Sequence, residues 1–390
     1  MSSLVDASLL TDIKKFGAAD VSACFSCGNG TAICPLSTND GAFPRRMIRY
    51  AQVGMKDALL SSKELWTCYH CGLCSDTCPT QADPGGFMAA ARRYAIASYD
   101  RTRLAWTMYT QPVLASLIAI VLAVFFAVFM YASHGAQSRT SMALFGFIPE
   151  PLIHYTGLVV MVIAFLAGLA GIITMVRGIS RREVKLRGKS RVTGWKALWS
   201  AIGVESIGQK RYRQDCSAVQ EVKPWYRRRW LVHSLTMWGF LGLLVATVVD
   251  YGLSLIGVKM PGTPVAIWYP TRLLGTLAGL AMIYGVTMFF IDRVRKDNQS
   301  AKNSEPADWM LLVLLWVVGV SGFLIEVSLY LPQPPTWGYW LFLFHVSVAM
   351  ELILLAPFMK FAHAIYRPVA LYYLARAGET EGMAGESAAD

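Results

Sequence analysis

Charge is scarce in this sequence. Asp, Glu, Lys and Arg make up 16% of its 390 residues, against 55% hydrophobic residues and a mean hydropathy of +0.42. That is too little charge to cover a soluble domain of this size, which points to a membrane protein. Acidic residues are the scarcer sign, 25 against 36 basic ones, for a net charge of +11. The opening residues, MSSLVDASLLTDIKKFGAADVSA, lack a basic start followed by an apolar core, so no secretory leader is expected in them. Cysteine is nearly absent after residue 78: seven of eight lie no later than that point, and only Cys216 lies beyond it. Clustered cysteines in an end expected to stay in the reducing cytoplasm argue against a disulfide framework and for metal-bound thiolates. Low-complexity sequence is confined to AGETEGMAGESAAD, and residues 376–390 are expected to be a disordered tail.

Long apolar runs begin after residue 104. Six are long enough to cross about 30 Å of hydrocarbon: Ala105–Ala132, Leu152–Val176, Trp230–Ile256, Thr271–Ile291, Trp309–Leu331 and Trp337–Ala362. Aromatic residues mark their ends, as at Trp106, Trp268 and Trp340. The expected organisation is a soluble domain over 1–104, a membrane domain over 105–375 and the tail.

The basic excess has a place. Between Arg177 and Arg229 there are fifteen Lys and Arg against four Asp and Glu, a net charge equal to that of the whole chain. Loops on the other face (Ser133–Pro151, Gly257–Pro270, Pro332–Thr336) carry only Arg139 and Lys259 as basic residues. The positive-inside rule then puts both termini in the cytoplasm, in a multi-pass protein of the inner membrane. Topology accounts for the charge, so nucleic acid is not expected as a partner. In the loop over 177–229, GWKALWSAIGVESIG spaces Trp195, Leu198, Trp199, Ile202 and Ile207 near helical period. It reads as an amphipathic helix on the lipid surface, or as one packed on the soluble domain.

CYHCGLCSDTCP, from Cys68 to Pro79, has the C-x2-C-x2-C-x3-C-P spacing of bacterial iron–sulfur ferredoxins. Three thiolates from one tight loop hold one cluster, and the fourth, before proline, serves the other. CFSCGNGTAICP, from Cys24 to Pro35, has the same frame with Gly30 in place of the third cysteine. Cluster II is therefore expected on Cys34, Cys68, Cys71 and Cys74. Cluster I is expected on Cys24, Cys27 and Cys78. Zinc sites usually pair two separated CxxC units instead. Three options remain for cluster I: a [3Fe–4S] cluster; a [4Fe–4S] cluster with solvent, Asn29 or Asp40 on one iron; or recruitment of Cys216. A [3Fe–4S] cluster would suit a higher-potential step beside the haems discussed next.

His345 and His363 are eighteen residues apart in the last expected span. On one continuous helix that is five turns, so both face the same way, about 27 Å apart. Imidazoles inside spans mark function unless they have structural partners. Two stacked b haems, each with two axial histidines, account for the spacing. His233 matches His363 in depth. His154 is the best match for His345, and His134 is the runner-up. His70, between cluster cysteines, reads as a loop residue. Asp250, Glu326 and Glu351 are carboxylates placed to accept protons from a quinol. The expected fold class is thus mainly α: a cytoplasmic, ferredoxin-like two-cluster iron–sulfur domain followed by a six-helix transmembrane cytochrome b bundle.

With these motifs on the page, the first hundred residues resemble the iron–sulfur C subunit of heterodisulfide reductases. The remainder resembles the E subunit of those enzymes, a membrane cytochrome b, and, more distantly, the gamma subunit of respiratory nitrate reductase. Joined in one chain, they resemble the QmoC family, the membrane subunits of quinone-interacting membrane-bound oxidoreductase complexes of sulfate-reducing bacteria. The resemblance implies menaquinone as substrate and two flavin- and iron–sulfur-containing partner subunits that resemble the A subunit of heterodisulfide reductases. It also implies indirect exchange with the enzyme that reduces adenosine 5′-phosphosulfate. Two rivals stand beside it: the membrane arm of a heterodisulfide reductase or sulfite-pathway complex, and a metal-bearing sensor or scaffold without turnover. The pattern departs from these families at two points. Gly30 breaks the four-cysteine motif. Leu243 stands ten residues after His233, where the gamma subunit has a second haem histidine. No CCG motif of the disulfide-cleaving subunits occurs, so this chain is not expected to reduce disulfides itself.

Overall fold

A computed structural model describes residues 5–18, 21–37, 42–185, 192–214, 223–258, 265–297 and 299–378. Among them the chain is helical and contains no strand. The N-terminal part is built from short helices, including α1 (Leu9–Lys14), α2 (Asn29–Ala32), α3 (Arg45–Gln52) and α4 (Leu73–Asp76). They surround the longer α5 (Pro84–Tyr99), which is buried along almost its whole length. Asp83 caps α5 by accepting the Gly86 N–H at 3.1 Å, and Pro84 sits in the first turn, where no N–H is needed.

Among the described residues, six helices are long and apolar enough to cross a membrane. They are α7 (Pro112–Tyr131), α8 (Glu150–Lys185), α10 (Arg229–Leu255), α11 (Pro270–Arg295), α12 (Pro306–Leu329) and α13 (Thr336–Leu355). Between them, α6 (Leu104–Thr110) precedes α7, and α9 (Gly194–Trp199) follows α8.

Two expected spans differ from the observed helices, and proline explains both. The first does not begin at Ala105. α6 stops at Thr110 and a new helix starts at Pro112, because the residue before a proline is driven out of the helical region. The last is not continuous to Ala362. α13 ends at Leu355, short 3-10 turns occupy Ala356–Phe358 and Lys360–Ala362, and Met359 between them is extended. Pro357 breaks the ladder. His363 therefore opens a separate helix, α14 (His363–Ala377), and the eighteen-residue phase argument does not apply. α14 also carries residues 376 and 377, expected in the tail; residues 379–390 lie outside the described residues.

The two parts share one core. A single buried cluster joins Leu9, Phe16, Trp66 and Tyr94 to Met282, Leu312, Leu355 and Tyr366. Trp66 packs on Tyr366 with ring centres 5.2 Å apart. An ionic joint reinforces the contact: Arg93 of α5 pairs with Asp308 of α12 at 2.5 Å, and Lys360 pairs with the same carboxylate at 3.3 Å. Asp308 is wholly buried and Arg93 nearly so, and buried charges persist only when paired.

α10 and α11 cross closely because glycine permits it. A side-chain carbon added at Gly239 would lie 2.6 Å from the Ala278 oxygen and the Met282 nitrogen. One added at Gly285 would lie 2.8 Å from the Val232 oxygen. Small residues at a crossing let membrane helices approach to backbone contact. This crossing sets the position of His233. The segment expected to be amphipathic is helical: α9 continues into a π-helical stretch, Ser200–Ile207. Ala197 and Ala201 are buried, and Ala201 packs with Leu371 and Leu374 of α14. Trp195 and Trp199 remain 75% and 66% exposed.

Candidate metal centres

The two cysteine motifs are one structural unit used twice, 44 residues apart. Ser26 and His70, equivalent in the two motifs, both have φ near +60° (60° and 55°). Gly28 and Gly72 follow at φ 93° and 98° and start α2 and α4. Glycine takes this left-handed turn without a Cβ clash. Gly30 is the equivalent of Cys74, and the two face each other: a carbon added at Gly30 would lie 3.5 Å from the Cys74 Cβ.

Cys34 lies apart in sequence from the second motif but beside it in space. It lines one hollow with Cys68, Cys71 and Cys74, closed by Leu36, Phe43 and Met88. Burial, and then the charges of Cys68 and Cys71, push the Cys34 thiol up to about 12. Burial and the other three cysteines push Cys74 up as well. Such thiols ionise only against the positive charge of a bound metal. Among the described residues, no three His, Cys, Asp or Glu side chains converge closely enough for a single ion. Four cysteines lining one hollow form a donor set that an iron–sulfur cluster takes.

The remaining motif cysteines lie toward the surface. Cys27 is exposed, and Cys24 borders an open cleft with Phe25, Arg45, Arg46 and Arg49. Asn29 donates its amide to the Thr77 oxygen at 2.6 Å, tying the first motif to the segment that carries Cys78. Cys78 contacts the Thr80 hydroxyl at 3.5 Å. Asp40 and Cys216 lie outside the described residues. Nothing in the backbone requires glycine at 30, which has no positive φ.

His70 is in a loop, as expected, and is buried there. It is 8% exposed, lines the four-cysteine hollow, and its Nε2 is buried without a hydrogen-bond partner among the described residues. Burial, then Arg92 and Arg229, hold its pKa well below the ordinary value. Its backbone N–H points to the Cys68 sulfur at 3.4 Å.

His233 and His363 are brought together from two helices, with ring centres 6.3 Å apart and planes at 64°. Each ring has its Nδ1 engaged: His363 with the Lys360 carbonyl at 2.6 Å, His233 with Gln209 Oε1 at 3.2 Å. Both partners are acceptors, so Nδ1 carries the proton and Nε2 keeps its lone pair. That is the usual arrangement of metal-binding histidines. With metal–imidazole bonds of about 2 Å, one iron fits between rings at this separation.

His345 shares the tautomer logic. Its Nδ1 meets the Ser321 hydroxyl at 2.9 Å, and that hydroxyl donates to the Val317 carbonyl at 2.6 Å. Its ring lies over Gly322, where an added carbon would be 3.0 Å from Cε1. Among the described residues, no ring contact joins His345 to His154 or His134. His154 stacks on Tyr251 at 3.9 Å and turns Nε2 to Glu150 at 3.4 Å. His134 stacks on Tyr131 and gives Nδ1 to the Tyr131 carbonyl at 2.8 Å.

The three carboxylates separate by partner. Glu326 accepts from Thr276 at 2.5 Å and pairs with Arg272 at 3.2 Å. Asp250 accepts from Thr271 at 2.9 Å. Glu351 is 2% exposed, and its Oε1 has no hydrogen-bond partner among the described residues.

The four-cysteine loop, not the three-cysteine one, lies against the histidine helix. Arg229, in the first turn of α10, donates to the His70 carbonyl at 3.1 Å, one turn before His233. Arg92 donates to the Cys68 carbonyl at 2.8 Å.

Residues 20–82 match the family model described as 4Fe-4S dicluster domain, and residues 105–384 match the one described as citrate utilization protein B. Citrate utilization protein B of Escherichia coli is 28% identical over 177 residues, 44% of this chain and 45% of that protein. The C subunit of the H2:CoB-CoM heterodisulfide, ferredoxin reductase of Methanothermobacter thermautotrophicus is 36% identical over 62 residues, 16% of this chain and 34% of that protein. Its counterpart in Methanothermobacter marburgensis matches to the same extent. The chain spans less than half the length of these curated relatives. No solved structure matches.

Proposed function

This chain belongs to the citrate utilization protein B family, with a 4Fe–4S domain ahead of the family region, and from that premise we propose that it is the quinone-reactive electron-transfer subunit of a membrane oxidoreductase complex. The observation that carries the reading is the facing pair His233 and His363, each with Nδ1 on an acceptor oxygen and so with the lone pair on Nε2, beside a four-cysteine hollow. His233 and His363 hold one b haem. His345 holds a second, with His154 or His134 as the other ligand; the carbonyl contact at His134 Nδ1 supports His134. Cys34, Cys68, Cys71 and Cys74 hold a [4Fe–4S] cluster, and Cys24, Cys27 and Cys78 hold a second iron–sulfur cluster. When bound, these groups supply one-electron oxidation and reduction.

The protein's own residues do the rest. The Lys360 carbonyl and Gln209 Oε1 fix the imidazole tautomers. Glu351, buried and without a partner at Oε1 among the described residues, takes a quinol proton; Glu326 and Asp250 already hold partners, which supports Glu351 over them. The basic loop over 177–229 supports an inner-membrane topology with both termini cytoplasmic. Cytoplasmic partner subunits then take up or deliver the electrons. The likeness to the heterodisulfide reductase C subunit supports a complex with other subunits; flavin- and iron–sulfur-bearing partners, menaquinone and sulfate respiration are what the QmoC resemblance of the sequence implies. The printed name of the E. coli relative favours a second reading, in which the partner serves citrate utilization.

The test is a low-temperature EPR series on the purified protein, with iron and haem assays on the same sample and quinol as reductant. Haem absorbance, cluster signals and quinol-driven reduction are expected. A protein free of haem, or one that quinol does not reduce, would overturn the proposal and leave a sensor or scaffold.

A further inference from the structure

Two aromatic rings join the four-cysteine loop to the facing histidines. Tyr69 lies between Cys68 and Cys71 and is 8% exposed. Its ring centre is 5.4 Å from that of Tyr212. Tyr212 meets His233 edge-on at 5.5 Å and 66°. The Arg367 guanidinium also lies over the Tyr69 ring, 4.6 Å from its centre. The backbone flanking it is pinned at the Cys68 and His70 carbonyls by Arg92 and Arg229. The equivalent residue of the first motif, Phe25, is 64% exposed in an open cleft. The same loop position is thus aimed inward in one motif and outward in the other.

We propose that Tyr69 and Tyr212 are positioning residues that couple the four-cysteine site to the His233–His363 site, making the four-cysteine cluster the one that exchanges electrons with the membrane histidines. The inference rests on the function proposed above. It reverses the expectation that the three-cysteine cluster stands beside the haems and leaves that cluster facing the partner subunits. One electron crosses per event, with quinol as the reductant in one direction and the partner subunit in the other. One site is oxidised as the other is reduced, and no bond forms or breaks. Tunnelling falls steeply with the empty gap between sites, and packed rings shorten that gap. The rings serve as closed-shell contacts, so the hydroxyls are dispensable.

Three readouts test this on the full chain. Photo-oxidation with a ruthenium tris-bipyridyl complex and persulfate is expected to yield a dityrosine-linked peptide pair containing Tyr69 and Tyr212. Absence of that pair would remove the contact and the proposal with it. Tyr212→Leu and Tyr212→Phe are then compared after flash reduction, following the haem band. Tyr212→Leu should slow internal electron equilibration tenfold or more, with haem absorbance and cluster EPR intensity unchanged. Tyr212→Phe should stay within about twofold of the natural protein. A Leu variant as fast as the natural protein, or a Phe variant as slow as Leu, would overturn the proposal. If Tyr212→Leu does not assemble, Tyr212→Met supplies the ring-free comparison. Loss of haem from the natural protein would instead overturn the functional reading itself.

Discussion

His233 and His363 face each other across 6.3 Å although 130 residues separate them in the chain. One stands a turn into α10, and the other opens α14 just after a proline-broken stretch. The break matters to the pairing. A continuous final helix would fix His363 by phase with His345. The extended residue Met359 frees it to start a new direction, and the Lys360 carbonyl then orients its ring.

If the two imidazoles share one haem, His233→Ala and His363→Ala should remove the same absorbance band, while His345→Ala removes a different one. Reduced-minus-oxidised spectra of the three variants decide. An unchanged spectrum in either of the first two would sink the pairing.

Gly30→Cys should fold. The position has ordinary helical φ, and the nearest atom to an added carbon is the Cys74 Cβ at 3.5 Å. Replacing glycine inside a helix changes stability by no more than about 1 kcal/mol. The variant completes the first motif, so its iron content should rise and any [3Fe–4S] signal should give way to a second reduced [4Fe–4S] signal.

Asp308→Ala should be strongly destabilising, by about 3–5 kcal/mol, because it strands the buried Arg93 without its carboxylate. Thermal unfolding in detergent would show it. Replacing both partners, as Arg93→Met with Asp308→Leu, should recover much of that loss, since neither buried charge is left behind.

Gly285→Val should push α10 away from α11 at the Val232 carbonyl, costing about 1–3 kcal/mol through overpacking. Because Val232 precedes His233, haem content should fall further than the melting temperature predicts. A variant with full haem content would show that the crossing does not position the histidine.

Trp195 and Trp199 project from a helix whose alanine face is buried. Such exposed indoles belong at a membrane interface. Brominated lipid should quench a fraction of the native fluorescence that is lost in the double variant Trp195→Phe, Trp199→Phe. Equal quenching in both proteins would place this helix away from lipid.

Local chemistry carried much of the reading. Cysteine spacing implies tight loops because three thiolates on one short stretch demand them, and the positive φ at Ser26, His70, Gly28 and Gly72 is that demand met. Apolar run length announced six crossing helices because hydrocarbon thickness and helical rise are constants. The errors came where one local breaker outweighed a long pattern. Pro112 and Pro357 cut helices that hydropathy alone would extend.

The sequence by itself determined which residue types were available: seven clustered thiols, five imidazoles in or beside the apolar runs, three carboxylates and a basic loop. It determined the helices too, since periodicity and breakers act over a few residues. Only the tertiary structure decided which of these groups meet. Glycine contacts bring α10 to α11, the Arg93–Asp308 pair seats the N-terminal part on the long helices, and Arg229 presses the four-cysteine loop against the histidine helix. Glu351 was singled out from Glu326 and Asp250 in the same way, by the absence of a partner at its Oε1 among the described residues. These are contacts between residues tens to hundreds of positions apart. They depend on how whole helices pack, and no local pattern encodes them.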